Sequence, residues 1–157
     1  VNQALSGEGP FSPERSGTLP AADLARLCFS GQYTLQEVLK MITGKGGMVS
    51  FLGTNNMRDI EHMRDQGNKE ADFYFQAFVY QVGKYIGSLA PVVEGKVDAI
   101  ILTGGIAFWK ELTERISQMV SFIAPVVVYP GEGELEALAI AGQMALEGEA
   151  EIKEYVP

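Results

Sequence analysis

The sequence is poor in the residues that most often carry covalent or acid–base chemistry. It has one cysteine, Cys28, so no disulfide framework forms within one chain, which fits a reducing compartment. Cys28 lies in an apolar run over 24–29, the setting of a small buried hydrophobe rather than a nucleophile. The single histidine, His62, falls in a polar stretch over 58–66 and reads as a surface helix residue. Basic charge is scarce: 12 Lys and Arg stand against 20 Asp and Glu, a formal net charge of −8. Nucleic-acid binding needs a basic face to neutralise phosphates, so that class is excluded. A nucleotide site is not, because a few local cations and a metal suffice there. Long apolar runs are also missing: those over 99–102 and 122–129 are too short to span a bilayer. No basic segment followed by an apolar one opens the chain, so no signal peptide is expected, and the expected location is cytoplasmic. The first residue is Val1 rather than Met, which reads as a processed chain or a fragment.

What is present suits one globular domain. The chain has 157 residues, 46% of them apolar. A chain of this length buries roughly 70% of its unfolded surface. A loop rich in proline, glycine and serine covers 10–20. Helices are expected over 20–29, from Thr34 to the breaker run Gly44-Lys45-Gly46-Gly47, over 56–64 and over 68–90. Thr34 and Glu37 form a capping box at the start of the second. In the long helix Ala71, Phe75, Phe78, Val82, Tyr85, Ile86 and Leu89 recur every three or four positions as a core-facing stripe. Strands are expected over 48–53, 97–103 and 125–129, with a helix from Gly105 to about Val120 and a last one over Glu134–Glu147. Strands alternating with helices predict α/β layers with parallel strands. Ligands gather at the carboxyl ends of such strands. Three places qualify: after Gly53, at Gly104-Gly105, and over 130–134.

Single motifs here are weak. Gly104-Gly105-Ile106 ends a strand and opens a helix, so a ligand can touch bare backbone there, but a diglycine turn is more often only a turn. Gly44-Lys45 does not make a P-loop, because Gly46 stands where Ser or Thr is needed. Lys45 reads as a solvated loop lysine. Arg15, between Glu14 and Ser16, reads alone as an exposed arginine paired with Glu14.

Taken together and in order, four stretches resemble the butyrate kinases. These are enzymes of the acetate kinase branch of the sugar kinase, heat-shock ATPase and actin superfamily. The first stretch is Asn2-Gln-Ala-Leu-Ser-Gly-Glu-Gly-Pro-Phe-Ser-Pro-Glu-Arg-Ser-Gly-Thr-Leu-Pro20. The second, Gly47 to Asp59 with Thr54-Asn-Asn-Met-Arg-Asp59, is similar to the acetate kinase pattern S-x-x-D-F-R-D. The third, Gly104-Gly-Ile-Ala107, resembles the adenosine motif. The fourth, Tyr129-Pro-Gly-Glu-Gly-Glu-Leu135, resembles P-x-x-E-E-L.

The resemblance implies the C-terminal domain of an actin-like (ribonuclease H-like) ATPase fold, with helices packed on a mainly parallel sheet. An N-terminal phosphate-binding domain would lie outside the chain. It implies reversible phosphoryl transfer between ATP and butyrate, giving butyryl phosphate and ADP, with Mg2+. Kinases of acetate or of other short or branched acids, and a non-catalytic nucleotide-binding module, are the alternatives. The implied partners are a short-chain fatty acid and ATP, with no nucleic acid or membrane, and a homo-oligomer at full length.

By position, Arg15 matches the arginine of R-S-G-D, which contacts the transferred phosphoryl group and the acyl carboxylate. Thr18 stands where that motif has its acid. Asn56, Met57 and Arg58 match D-F-R beside the adenosine, and only Arg58 keeps its type. Gly104, Gly105 and Ile106 match the adenosine turn. Glu134 matches the glutamate just before the leucine and Glu132 the acidic position two earlier, and the resemblance gives one or the other the link to the metal. A carboxylate acceptor is already ionised at neutral pH, so no general base is needed. The catalyst must instead aim cations at the moving phosphoryl group.

Overall fold

The computed structural model describes residues 8–150, so the start of the first family-like stretch, through Gly7, lies outside the described residues. The loop over 10–20 leads into α1 (Ala21–Cys28) and α2 (Leu35–Ile42). At α2 the capping box forms as expected. The Thr34 hydroxyl accepts the Glu37 backbone N–H, and the Glu37 carboxylate accepts the Thr34 N–H at 2.7 Å.

The run expected as a strand over 48–53 is instead the helix α3 (Gly47–Leu52). Short apolar runs do not distinguish the two by periodicity, and the surroundings decide. The Met48 and Val49 N–H groups, which a helix start leaves orphaned, donate to the carbonyls of Ser12 and Pro13. Met48 is wholly buried. Gly47 has φ 59°, and a side chain there would collide with the Ser12 carbonyl, so this turn requires glycine.

A second correction concerns Cys28, which is exposed rather than buried. None of the residues of α1 is buried, so the apolar run around Cys28 lies on the outside.

The Asn68 side chain caps α5 (Lys69–Leu89) by accepting the N–H groups of Glu70 and Ala71 at 3.0 Å. Its stripe faces inward as far as Ile86. Ala71, Phe75 and Phe78 are buried, Val82 and Ile86 are partly buried, and Leu89 is exposed. Before it comes α4 (Met57–Asp65), whose Met57 and Ile60 enter the same core. Side chains such as Phe75 and Ile60, buried outright, contribute roughly 1.5–3 kcal/mol each.

Then follow a 3-10 turn (Ala90–Val93), β1 (Ile100–Gly104), a second 3-10 turn (Gly105–Phe108), α6 (Lys110–Val120), β2 (Val126–Pro130) and α7 (Glu134–Glu147). The strands are parallel, with Ile100 opposite Val126 and Gly104 opposite Pro130. The α6 crossover makes this a βαβ unit, as parallel pairing requires. Ile100, Leu102 and Val126 pack on the helical core, so α4, α5 and α6 form a layer on one face of the sheet.

The expected single helix after Gly105 is broken at Trp109. This residue is extended (φ −79°, ψ 98°) because its ring is buried against Phe75, with centroids 4.6 Å apart.

Candidate active site

The strand β1 delivers the backbone to Gly104, whose φ of 90° excludes ordinary side chains. Gly104 exchanges backbone hydrogen bonds of 3.2 and 3.0 Å with Gly131, so the loop after β2 is stitched to the loop after β1. Gly105 is different. Its φ lies outside the left-handed region, and a Cβ placed on it would meet nothing within 4 Å. Neither backbone conformation nor packing demands glycine at that position.

Across from this turn stands the start of α4. Asn56 is its N-cap: the side-chain oxygen accepts the Arg58 N–H at 3.2 Å, and the amide donates to Asp59 at 3.0 Å. Met57 is buried and Arg58 is exposed. The Arg58 guanidinium makes no hydrogen bond or ion pair with any described residue.

Between these walls lies a cavity of about 290 Å3 lined by Asn55, Asn56, Met57, Arg58, Gly105 and Ile106, with Pro13 and Glu132 at its rim. The three chain segments expected to meet a ligand therefore converge, although the first follows a helix rather than a strand. An adjoining cavity of about 300 Å3 shares Met57, Arg58, Gly105 and Ile106 and extends to Glu61, Phe108 and Trp109. Sequence reading did not single out these last three. The signal was there: Glu61 is one helical turn beyond Arg58 on the same face of α4, and two aromatics follow the diglycine turn directly.

Of the remaining candidates, Gly104 forms the floor of the turn rather than the cavity lining, and Glu134 opens the first turn of α7 outside it. Arg15 lines neither cavity. It is half-buried on the neighbouring loop, where its N–H donates to the Ser12 hydroxyl at 3.1 Å and its backbone bridges to Thr43. Next to it, Glu14 accepts a hydrogen bond from Asn55 at 3.3 Å, which ties the Arg15 loop to the cavity rim. The far end of the loop is pinned to α5. The hydroxyls of Thr18 and Tyr85 lie 2.7 Å apart, and the Gly9 N–H donates to both.

Both walls are braced from behind. Arg64, near the end of α4, holds Glu111 in the first turn of α6 and Asp72 on α5. These hydrogen bonds push the Arg64 pKa up and hold the Glu111 and Asp72 carboxyls below their ordinary values, against the opposing effect of partial burial.

Magnesium commonly takes one or two protein carboxylates plus phosphate oxygens and water. Among the described residues no group of three or more acidic, histidine or cysteine side chains forms a cage. The exposed carboxylates Glu132 and Glu134 fit the sparser arrangement, in which bound phosphates supply most ligands.

Helices layered on a pair of parallel strands, with the loops after the strands lining the cavity, give this chain the actin-like ATPase fold in its acetate kinase form. The acetate kinase of Porphyromonas gingivalis shares it with a TM-score of 0.73 at 20% identity, over 88% of this chain and 41% of that one. Residues 8–123 match the acetokinase family, and the chain belongs to that family. It is 56% identical over 99% of its length to butyrate kinase 2 of Clostridium acetobutylicum. It is 50% identical over 99% of its length to a probable butyrate kinase of Clostridium botulinum. The chain spans 44% of each of these two relatives. No helix among the described residues is long and apolar enough to cross a membrane.

Proposed function

We propose that this chain carries the nucleotide-facing part of a kinase that phosphorylates butyrate with ATP. The observation that carries the reading is Gly105. It lacks a side chain for no reason of fold, and it faces Arg58 across a cavity that two family-like segments build. A planar base and its ribose approach bare backbone there, while the Arg58 guanidinium covers one face.

An oxygen of the butyrate carboxylate attacks the terminal phosphorus of ATP. The new O–P bond forms as the bond to the bridging oxygen breaks, and the electron pair leaves with ADP. No proton moves, so the step asks no general base of this chain. Arg15 meets the charge that builds on the transferred phosphoryl group with a two-pronged contact. Glu132, Glu134 or both hold the magnesium, which neutralises the polyphosphate when bound. The remaining length found in the relatives supplies the turn that grips the phosphates, and the reaction proceeds in the cleft between the two parts.

Trapping acyl phosphate with hydroxylamine tests this in the full-length protein. Product from MgATP and butyrate, exceeding that from acetate, supports the assignment. Activity on acetate with none on butyrate or its branched relatives overturns it.

A further inference from the structure

The two adjoining cavities share Met57, Arg58, Gly105 and Ile106, and we read them together as a slot with unlike ends. The end bordered by Asn55, Asn56, Pro13 and Glu132 is polar and lies toward the Arg15 loop. The other end closes on Phe108, Trp109 and Glu61. A nucleotide lying along this slot has one sensible direction. Its phosphates must reach the end with Glu132, on the side of the Arg15 loop, where magnesium and the transfer chemistry would be. The base is then left at the aromatic end.

Among the described residues that line this end, the one charged group besides Arg58 is the carboxylate of Glu61, half-buried and without a hydrogen bond or ion pair to any described residue. An ionised carboxylate only accepts hydrogen bonds. It therefore rewards a base edge that presents N–H donors and repels one that presents a carbonyl oxygen. Adenine carries an exocyclic amino group at position 6; a 6-oxo purine carries oxygen there, and offers a carboxylate its N1–H, or in guanine the 2-amino group as well, only from a different part of the edge.

We propose that Glu61 is the base-selecting residue of the slot, accepting a hydrogen bond from the 6-amino group of adenine. This inference rests on the nucleotide reading of the slot and adds the orientation and the specificity contact. Sites built to hydrogen-bond one substrate group discriminate strongly against the analogue that lacks it, because the site's polar group is left unpaired. Arg58 and Glu61, one turn apart on α4, thus divide the work: the guanidinium covers the face of the base and the carboxylate reads its edge.

The test compares ATP, ITP and GTP in the full-length protein, by equilibrium binding and by KM for each nucleotide. The wild type is expected to prefer ATP over ITP by roughly 10-fold or more, as a hydrogen bond to a charged group implies. In Glu61→Ala the preference should fall to within about 3-fold, by weakened ATP binding and raised KM rather than by lowered kcat. Glu61→Gln keeps an acceptor oxygen and adds a donor, so it should relax the bias against ITP while retaining ATP. An unchanged ATP-to-ITP ratio in folded Glu61→Ala, equal use of ITP by the wild type, or a preference for GTP overturns the assignment. Gly105→Val, measured in parallel, separates the two levels. If it weakens ATP while Glu61→Ala is silent, the edge contact is wrong and the slot stands. If neither variant responds, the slot itself is wrong.

Discussion

Arg64 grips Glu111 with two hydrogen bonds of 2.7 and 3.0 Å while its guanidinium lies 3.7 Å above the centre of the Phe75 ring. Glu111 sits just past the Gly105–Trp109 segment, and Arg64 sits at the other end of the helix that begins with Met57 and Arg58. One side chain therefore fixes the spacing of the two walls of the slot from the side away from the ligand.

Arg64→Met should destabilise the fold by about 2 kcal/mol, since charged hydrogen bonds are lost but the partly exposed carboxylates regain water. The loss should depend on pH. Folding lowers the Asp72 and Glu111 pKa values, so their contribution is complete above their ordinary values near 4 and disappears as pH falls through the lowered ones. Urea melts at neutral pH and again below about pH 4 should show the gap between wild type and Arg64→Met narrowing in acid. A gap that stays constant across that range would remove the clamp from the account.

Arg15→Ala in the full-length protein should lower turnover by roughly 100-fold or more, the usual scale for losing a donor that meets transition-state charge. ATP affinity should change far less. Arg15→Lys should rescue little, because a point charge does not reproduce a planar fork. Steady-state kinetics with butyrate and MgATP check this. Near-normal turnover in either variant would make Arg15 a structural residue of its loop.

The 157-residue chain alone should melt cooperatively yet form no acyl phosphate above background. Its core, from Met48 through Phe75 to Val120, is continuous, but phosphoryl transfer needs groups converging from both sides of a cleft. Calorimetry and the hydroxylamine assay on the purified chain check both halves of the statement. Robust turnover would contradict a mechanism shared between two parts.

Legibility in the sequence followed the range of the interactions. Helices whose caps and stripes are local were readable, as with Thr34 and Glu37 on α2 and Asn68 and Phe75 on α5. The strands were readable to within a few residues because each is an apolar run ended by Gly or Pro. The segment over 47–52 was not, since its helical form depends on carbonyls of Ser12 and Pro13 more than thirty positions earlier. Cys28 was misplaced because local apolarity does not say whether anything packs on α1. At the site, the family-like motifs drew attention to Arg58, Gly105 and Glu132. Glu61 and Trp109 came to light only through the way α4 packs across the diglycine turn.

The most direct test of the slot is the affinity of the full-length protein for MgATP with valine at position 105. A Cβ there meets nothing in the fold, so Gly105→Val should leave the melting temperature within a few degrees of wild type. Its side chain would occupy the space the nucleotide needs, so titration calorimetry should show ATP binding weakened by roughly 10-fold or more, the cost of even a modest steric loss. Unchanged ATP affinity in the folded variant would contradict the placement of the nucleotide between α4 and the Gly104-Gly105 turn.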